Sequence, residues 1–221
     1  YTATFTPTNN STTPASINVA ASTFTDGAGN NNTAATQLSI TVDTTTPAIT
    51  IASNKTTLNI GQTAVLTFTL SEASPNFVLG NITTAGGTLG ALSNSGLIYT
   101  ATFTPTANST TPASFNVAAS SFTDAAGNNN TAATQLSITV DTVAPTITIT
   151  SSASLLKSDQ TATLTFTLSE AASTALISSN ITVVGGALSN FAGSGTSYTA
   201  TFTPTNNSTT PASINVAAST F

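Results

Sequence analysis

Near-identical repetition is the feature that most constrains how this chain can fold. The stretch that begins at Tyr99 also begins at Tyr1 and again at Tyr198, so that the copies are 98 and 99 residues apart. Residues 198–221 repeat residues 1–24 without a change. A period of about 100 residues is the size of one small all-β domain. The chain is therefore expected to be a stretch of a tandem array.

The repeats divide the sequence into one complete domain and two partial ones. We expect residues 1–42 to be the C-terminal part of a repeat, containing its strands E to G. Residues 43–140 are expected to form a complete repeat, and residues 141–221 a repeat that lacks its last strand.

The complete repeat contains seven short segments in which apolar and polar residues alternate. Turn-forming residues separate the segments, and no helical periodicity is found. This pattern predicts an all-β fold, a two-sheet antiparallel sandwich of about seven strands, here called A to G. The predicted strands are Ala48–Ser53, Thr63–Leu70, Phe77–Thr84, Thr88–Leu92, Ile98–Thr104, Ala113–Ser121 and Thr134–Val140.

Apolar residues on one face of these strands are predicted to form the core, and the threonines between them to face solvent. The predicted core residues are Ile49, Ile51, Leu66, Phe68, Leu70, Ile98, Ala101 or Phe103, Phe115, Val117, Leu136 and Ile138. The segments Asn54–Gln62 and Ser93–Gly96 are predicted to be turns.

The composition excludes several classes of function. Charged residues make up 4% of the chain and the net charge is −5, so there is no basic surface for nucleic acid or for an anionic membrane. No apolar run approaches the length of a transmembrane helix. Neither His nor Cys occurs, which removes zinc sites, disulfides and His- or Cys-dependent catalysis from this stretch. We predict that the chain is not an enzyme.

The acidic residues recur at three places in each repeat. These are the linker before strand A, the loop between strands B and C, and the loop between strands F and G. Since successive strands alternate in direction, all three places lie at one end of the sandwich. Asp43, Glu72 and Asp124 are therefore expected to converge, and Asp141 and Glu170 to do the same one repeat later.

Three converging carboxylates require a counter-charge, or one of them must hold a proton. Lys55 and Lys157 are predicted to lie at the other end of their domains. A Ca²⁺ ion, which binds carboxylate and amide oxygens, would meet the need and fix the angle between neighbouring domains, with Asn128 as a further ligand. Mg²⁺ fits less well because it retains several waters. The alternative is that Asp124 only satisfies turn amides and that Glu72 is a solvated loop residue.

Two further patterns have both a functional and a structural interpretation. Threonine runs such as TATFTPT would suit an ice- or carbohydrate-binding module, for which only Tyr1, Tyr99 and Tyr198 offer exposed-type aromatic rings. The same runs are expected on the outer face of any twisted sheet, and twist spoils a flat binding lattice. Asn10 and Asn108 each begin an Asn-Ser-Thr glycosylation pattern, although chance matches are frequent in so Asn- and Thr-rich a chain.

Three blocks of sequence resemble the bacterial immunoglobulin-like repeats of large surface adhesins and other secreted repeat proteins. They are VDTTTPAITI and VDTVAPTITI at the linker, TAVLTFTLSEA and TATLTFTLSEA at strand B, and YTATFTPT followed by FTDAAGN. The resemblance covers the whole sequence and implies tandem immunoglobulin-like β-sandwich domains. Some arrays of this kind are stiffened by Ca²⁺ at the junctions, so the resemblance implies a possible interdomain Ca²⁺ here, although Asn81 and Asn180 stand where Asp is common in more acidic members. The acids that match are Asp43, Glu72, Asp124, Asp141 and Glu170.

The resemblance implies a stalk of a bacterial extracellular adhesin that holds a distal binding domain away from the cell surface. The expected partners are neighbouring repeats of the same chain, with no nucleic acid and no membrane insertion in this stretch. An alternative is a self-assembling surface filament or sheath, in which repeats associate laterally through exposed sheet edges. A carbohydrate- or ice-binding module is a further alternative.

Overall fold

The computed structural model describes residues 1–219 and consists largely of short β-strands. It divides into two compact units, Tyr1–Val143 and Ala144–Phe221. The predicted end of the third repeat, Phe221, lies outside the described residues. No helix in the described part of the chain has the length and apolar character needed to cross a membrane.

The first unit contains the first partial repeat and the whole complete repeat. The partial repeat contributes an antiparallel pair, β1 (Ala15–Ile17) and β2 (Leu38–Ile40). The strands of the complete repeat are β3 (Ile49–Ser53), β4 (Thr57–Leu58), β5 (Ala64–Leu70), β6 (Ile82–Ala85), β7 (Gly87–Leu89), β8 (Ser93–Ser95), β9 (Ile98–Pro105), β10 (Ala113–Val117) and β11 (Leu136–Val140).

The strands of the complete repeat form two sheets that enclose one core. One sheet has the order β3-β5-β9-β7, with β8 also paired to β9, and the other has the order β4-β11-β10-β6. Phe103 on β9 and Phe115 on β10 meet between the sheets, with ring centroids 4.8 Å apart and planes at 87°. The predicted all-β, immunoglobulin-like sandwich is confirmed.

Four elements differ from the sequence prediction, and one of them is the strand predicted for Ala113–Ser121, which ends at Val117. The predicted turn after β3 contains β4, which pairs in parallel with β11, so the sandwich is not wholly antiparallel. The predicted turn Ser93–Gly96 contains β8. The third predicted strand begins only at Ile82, because Leu79–Asn81 forms a 3₁₀ turn. Elements of two or three residues are too short to show a periodicity in the sequence.

The predicted core is confirmed with one exception. Ile98 is wrong: its side chain is 46% exposed. Tyr99, Ala101 and Phe103 alternate toward the core along β9, and since successive side chains point to opposite faces, Ile98 must point outward. Both Ala101 and Phe103 are buried, whereas Ile51 and Leu136 are partly buried.

The tyrosines also correct the prediction of exposed aromatic rings. Tyr99 and Tyr198 are 8% and 5% exposed. The ring of Tyr99 packs edge-on against Phe77, with 5.0 Å between centroids. These two rings therefore belong to the cores and offer no aromatic surface to a sugar.

The second unit repeats the same design with fewer strands. The strands are β12 (Ile147–Ser151), β13 (Ala162–Leu168), β14 (Ile181–Val184), β15 (Gly186–Ser194), β16 (Ser197–Pro204) and β17 (Ser213–Val216). One sheet has the order β12-β13-β16-β15, and β14 pairs with β17. The single long strand β15 corresponds to β7 and β8 of the complete repeat, and its Phe191 stacks on Tyr198.

Candidate metal centre

Three carboxylates converge at one end of the complete repeat. Asp43, Glu72 and Asp124 each have a carboxylate oxygen within 4.8 Å of the others. Asp43 precedes β3 in the linker, Glu72 follows the end of β5, and Asp124 lies in the loop between β10 and β11. The structure thus brings together the three acids that strand alternation places at one end of the sandwich.

Asp124 is held by the turn that it forms. Its side chain is 3% exposed, and its Oδ1 and Oδ2 accept the backbone N–H and the Nδ2 of Asn128 at 2.9 and 2.8 Å. Burial acts to raise the pKa of Asp124, but the hydrogen bonds from Asn128, Ala126 and Gly127 outweigh it and lower this pKa. Asp124 is therefore a carboxylate at neutral pH.

Asn128 connects the turn to the linker. In addition to its bond to Asp124, its Nδ2 donates to the backbone oxygen of Asp43 at 3.1 Å. The Asp43 Oδ1 accepts the backbone N–H of Thr45 at 3.1 Å. The side-chain nitrogen of Asn128, rather than its oxygen, thus faces the two acids, so Asn128 positions them.

Glu72 is the member of the group that no protein donor satisfies. Its Oε1 is buried and makes no hydrogen bond. Burial, together with the negative charges of Asp124 and Asp43, raises the pKa of Glu72. A buried acceptor without a partner is costly, so Glu72 Oε1 is the oxygen of the group that would gain most from a cation or a proton.

The partial repeat provides a comparison for the turn-forming interpretation. Asp26 corresponds to Asp124 and makes the same turn, accepting the N–H groups of Ala28 and Asn30 and the Asn30 Nδ2, each at 2.9 Å. These bonds, with the Asn30 side chain first, lower the pKa of Asp26 although it is exposed. Among the residues that the structure describes, no acidic cluster includes Asp26, so the turn by itself accounts for the conformation of Asp124. It does not account for Glu72.

The three carboxylates fit a hard divalent cation. Ca²⁺ binds oxygen at about 2.3–2.6 Å, so oxygens of three groups that lie within 4.8 Å of one another can share one ion. An ion there would give Glu72 Oε1 the partner that it lacks and offset three negative charges. Mg²⁺ requires shorter bonds, at about 2.0–2.1 Å, and a near-octahedral shell.

The other two predicted ligands are not part of this group. Asp141, in the first unit, is exposed and its Oδ1 accepts the N–H of Val143 at 3.1 Å, as Asp43 does with Thr45. Glu170, in the second unit, is partly buried. Their role as ligands stays a prediction.

Sequence reasoning missed the asparagine that shapes the acidic loop. Asn130 is 3% exposed, and its Oδ1 accepts the N–H groups of Ser121 and Phe122 at 2.8 and 2.9 Å. Its Nδ2 donates to the backbone oxygens of Ala118 and Thr131 at 2.9 and 2.7 Å. The signal in the sequence is the Asn128–Asn130 run, which by itself does not show which member is buried.

Asn81 stands where the resemblance allows an aspartate. Its Nδ2 donates to the backbone oxygen of Ser121 at 2.7 Å, and its Oδ1 accepts the N–H of Val78 at 2.7 Å. A carboxylate could accept the second bond but could not donate the first. Asn81 therefore anchors the segment that precedes Asp124.

We predict that Glu72 sets the pH dependence of stability in the absence of metal. Its folded-state pKa is raised above 4.5, so its ionisation disfavours the folded state above that pKa, and the penalty disappears as the pH falls towards 4.5. Asp124 acts in the opposite direction below pH 3.8, outside this window. With chelator present, stability should therefore rise as the pH is lowered from 7 towards 4.5, as measured by urea denaturation.

Two variants test that assignment. Glu72→Gln should remove the rise, whereas Asp159→Asn, a change in a turn outside the cluster, should retain it. The same pH slope in Glu72→Gln as in the parent chain would show that another group titrates.

A comparison with protein families agrees with this architecture. The strands define immunoglobulin-like sandwiches that are repeated in tandem. A family model described as the bacterial Ig-like domain matches residues 1–42, 43–140 and 141–221. The chain therefore belongs to the bacterial Ig-like domain family.

Two solved structures are distantly similar to the chain. One is FdeC, an adhesin of Escherichia coli, with 16% identity and a TM-score of 0.41 over 80% of this chain and 62% of that one. The other is the adhesin InvE of Yersinia pseudotuberculosis, with 20% identity and a TM-score of 0.32 over 72% of this chain and 51% of that one. The chain thus spans between half and two thirds of these structures. Comparison with curated protein sequences gives no match.

Proposed function

We propose that this chain is a structural segment of a bacterial extracellular adhesin, an extended stalk that spaces a distal binding domain from the cell. The observation that supports this role is that the family matches follow one another without a gap through residues 1–221. Every residue of this stretch belongs to a repeat domain, and domains joined end to end, each contacting only its neighbours, suit a spacing role. We assign it no catalytic role.

The linker between the first partial repeat and the complete repeat is suited to transmit orientation. On one side, the Thr44 Oγ1 donates to the backbone oxygen of Thr8 at 2.7 Å, and the Thr44 N–H donates to that of Ser11 at 3.0 Å. On the other side, Asn128 donates to Asp43. The buried Pro47 then accepts a hydrogen bond from Thr131 at 2.9 Å. Hydrogen bonds thus hold the linker at Asp43, Thr44 and Pro47.

We propose that Ca²⁺ completes this linker. Asp43, Glu72 and Asp124 would hold the ion, and Asn128 would keep the first and last of them in position. Because one ligand belongs to the linker and two belong to loops of the sandwich, a bound ion would tie the linker to the domain. The cation supplies only charge neutralisation and coordination.

Small-angle X-ray scattering of the 221-residue chain tests the stalk proposal. We expect the maximum dimension to increase on going from chelator to millimolar Ca²⁺, because a tied linker restricts bending. Glu72→Gln should abolish the increase and Asp159→Asn should not. Profiles that are indifferent to chelator would contradict the role of calcium, while a profile that is compact in both conditions would contradict the stalk itself.

The same experiment separates the stalk from lateral self-association. A stalk predicts scattering profiles that superimpose over a range of protein concentrations. A filament or sheath predicts particles that grow with concentration, because exposed strand edges would pair between chains. Growth in both chelator and Ca²⁺ would favour the filament.

A further inference from the structure

Ten asparagines begin the Asn-x-Ser/Thr pattern that accepts N-linked sugars, and the structure distinguishes among them. Neither the proposed stalk role nor the proposed metal centre involves glycosylation of these asparagines. They are Asn9, Asn10, Asn31, Asn54, Asn81, Asn108, Asn129, Asn180, Asn206 and Asn207.

Three of these side chains are held by hydrogen bonds. Asn81 uses both ends of its amide, as described above. The Oδ1 of Asn54 accepts the Val65 N–H at 2.8 Å, and that of Asn180 accepts the Ile177 N–H at 3.0 Å. Turning any of these amides toward a transferase would break a backbone contact.

Two more are exposed but lie in a segment that is fixed on both sides. Asn129 forms a β-bridge with Thr123, and Asn31 forms the corresponding bridge with Thr25. The next residue, Asn130, is buried and holds the loop through its side-chain hydrogen bonds. The N–H of Thr131 donates to the backbone oxygen of Pro47. Residues 129–131 cannot move away from the loop without breaking these hydrogen bonds.

Asn9 and Asn206 are exposed, but the hydroxyl two residues later is occupied. The Ser11 Oγ accepts the N–H of Thr13 at 3.2 Å. The Ser208 Oγ accepts the N–H of Thr210 at 3.2 Å. The acceptor pattern needs that hydroxyl, so these two sites are poorer than their neighbours.

Asn108 differs from all of these. It is exposed at the tip of the turn between β9 and β10, with φ of 52°, and in the described structure its side chain makes no hydrogen bond. The hydroxyl of Thr110, two residues later, is exposed and unbonded as well. Only the residue between them is fixed: the Ser109 N–H donates to Thr142 Oγ1 at 2.9 Å, and its oxygen accepts the Thr142 N–H at 2.9 Å.

The same loop recurs in the other two repeats. Asn10 and Asn207 have φ of 51° and 56° and are exposed. Asparagine tolerates this left-handed conformation better than most residues, which accounts for its presence in the turn. The fold gives no such reason for the free hydroxyl of Thr110.

We propose that Asn108, with Asn10 and Asn207, is a site of N-linked glycosylation. The donor is a sugar activated by a phosphate leaving group, carried by a nucleotide or a lipid. The Nδ2 of the asparagine forms a bond to the anomeric carbon, the bond from that carbon to the phosphate oxygen breaks, and Nδ2 releases one proton. No oxidation or reduction takes place.

The test uses the full chain produced in a bacterium that carries a transferase specific for Asn-x-Ser/Thr and its nucleotide-activated hexose. The two lysines, Lys55 and Lys157, let trypsin separate the three loops onto three peptides. Mass spectrometry with fragmentation should locate a hexose on Asn10, Asn108 and Asn207. Thr110→Ala, which keeps the asparagine and its turn, should remove the sugar from the middle peptide, whereas Thr110→Ser should retain it.

Asn129→Gln is the matched control, because it removes an exposed acceptor of the same pattern in the same repeat. It should leave the hexose on the middle peptide unchanged. Unmodified peptides, a hexose on Asn129 at equal yield, or a sugar that persists on a hydroxyl in Asn108→Gln would each overturn the proposal. None of these outcomes bears on calcium or on the stalk.

Discussion

Replacing Phe103 by alanine is expected to lower the free energy of unfolding of the complete repeat by about 3–5 kcal/mol. The Phe103 side chain is fully buried and lies on β9, in one sheet, against Phe115 on β10, in the other. The substitution removes apolar burial, the edge-to-face ring contact and the packing across the sandwich, and it leaves a cavity that rigid sheets cannot close. Urea denaturation followed by tyrosine fluorescence measures the change.

The repeats supply a matched control for this prediction. Phe5 occupies the same place in the sequence TATFTPT, but it is 45% exposed. Phe5→Ala should therefore cost under about 1 kcal/mol. If the two substitutions destabilise the chain equally, the cost comes from the unfolded state rather than from the cavity, since Phe5 lies outside the strands.

Binding of Ca²⁺ is expected to produce the second large change in the stability of the complete repeat. If Ca²⁺ binds only the folded state, a free Ca²⁺ concentration about 100 times its dissociation constant raises the free energy of unfolding by about 2.7 kcal/mol. For a domain of this size that corresponds to an increase in Tm of roughly 10 °C or more. Calorimetry in chelator and in Ca²⁺ measures the difference and reports on binding, whereas scattering reports on bending.

The Glu72→Gln variant and the parent chain should differ in which is the more stable, depending on whether chelator or Ca²⁺ is present. In chelator the variant should be at least as stable as the parent chain, because it removes a buried charge whose Oε1 has no partner. In Ca²⁺ the parent chain should be the more stable, because the variant loses a charged ligand. Asp159→Asn should behave like the parent chain in both conditions. Equal Tm values with and without Ca²⁺ in the parent chain would show that the acids bind no calcium.

The sequence was sufficient to predict the sandwich and the end of it at which the acids meet. Alternation along the strands defines the two faces, and alternating strand direction places Asp43, Glu72 and Asp124 at one end. The alternation could not decide which side chain faces the core where two apolar residues are adjacent, as at Ile98 and Tyr99, because either face of the strand then begins with an apolar residue. The choice is made by packing against Phe77, a residue distant in the sequence.

The details of the site could not be predicted for a different reason. Loops have no periodicity, and the direction in which an amide side chain points depends on which backbone groups the loop leaves unpaired. Asn128 and Asn130 are two residues apart in one run, yet one positions carboxylates and the other clamps the loop. The unsatisfied oxygen of Glu72 likewise depends on how the loops fold around it, so the sequence predicts that the acids need a counter-charge but not which oxygen lacks a partner.

The short strand β4, which the sequence did not reveal, has a consequence for how a repeat bears load. It lies parallel to the last strand, β11, with Thr57 opposite Thr139 and Leu58 opposite Val140. β4 lies near the start of the repeat and β11 at its end, so tension along the chain pulls the two strands in opposite directions along their length. The hydrogen bonds between them are then sheared together rather than unzipped one at a time. That geometry would oppose extension at the contact between β4 and β11.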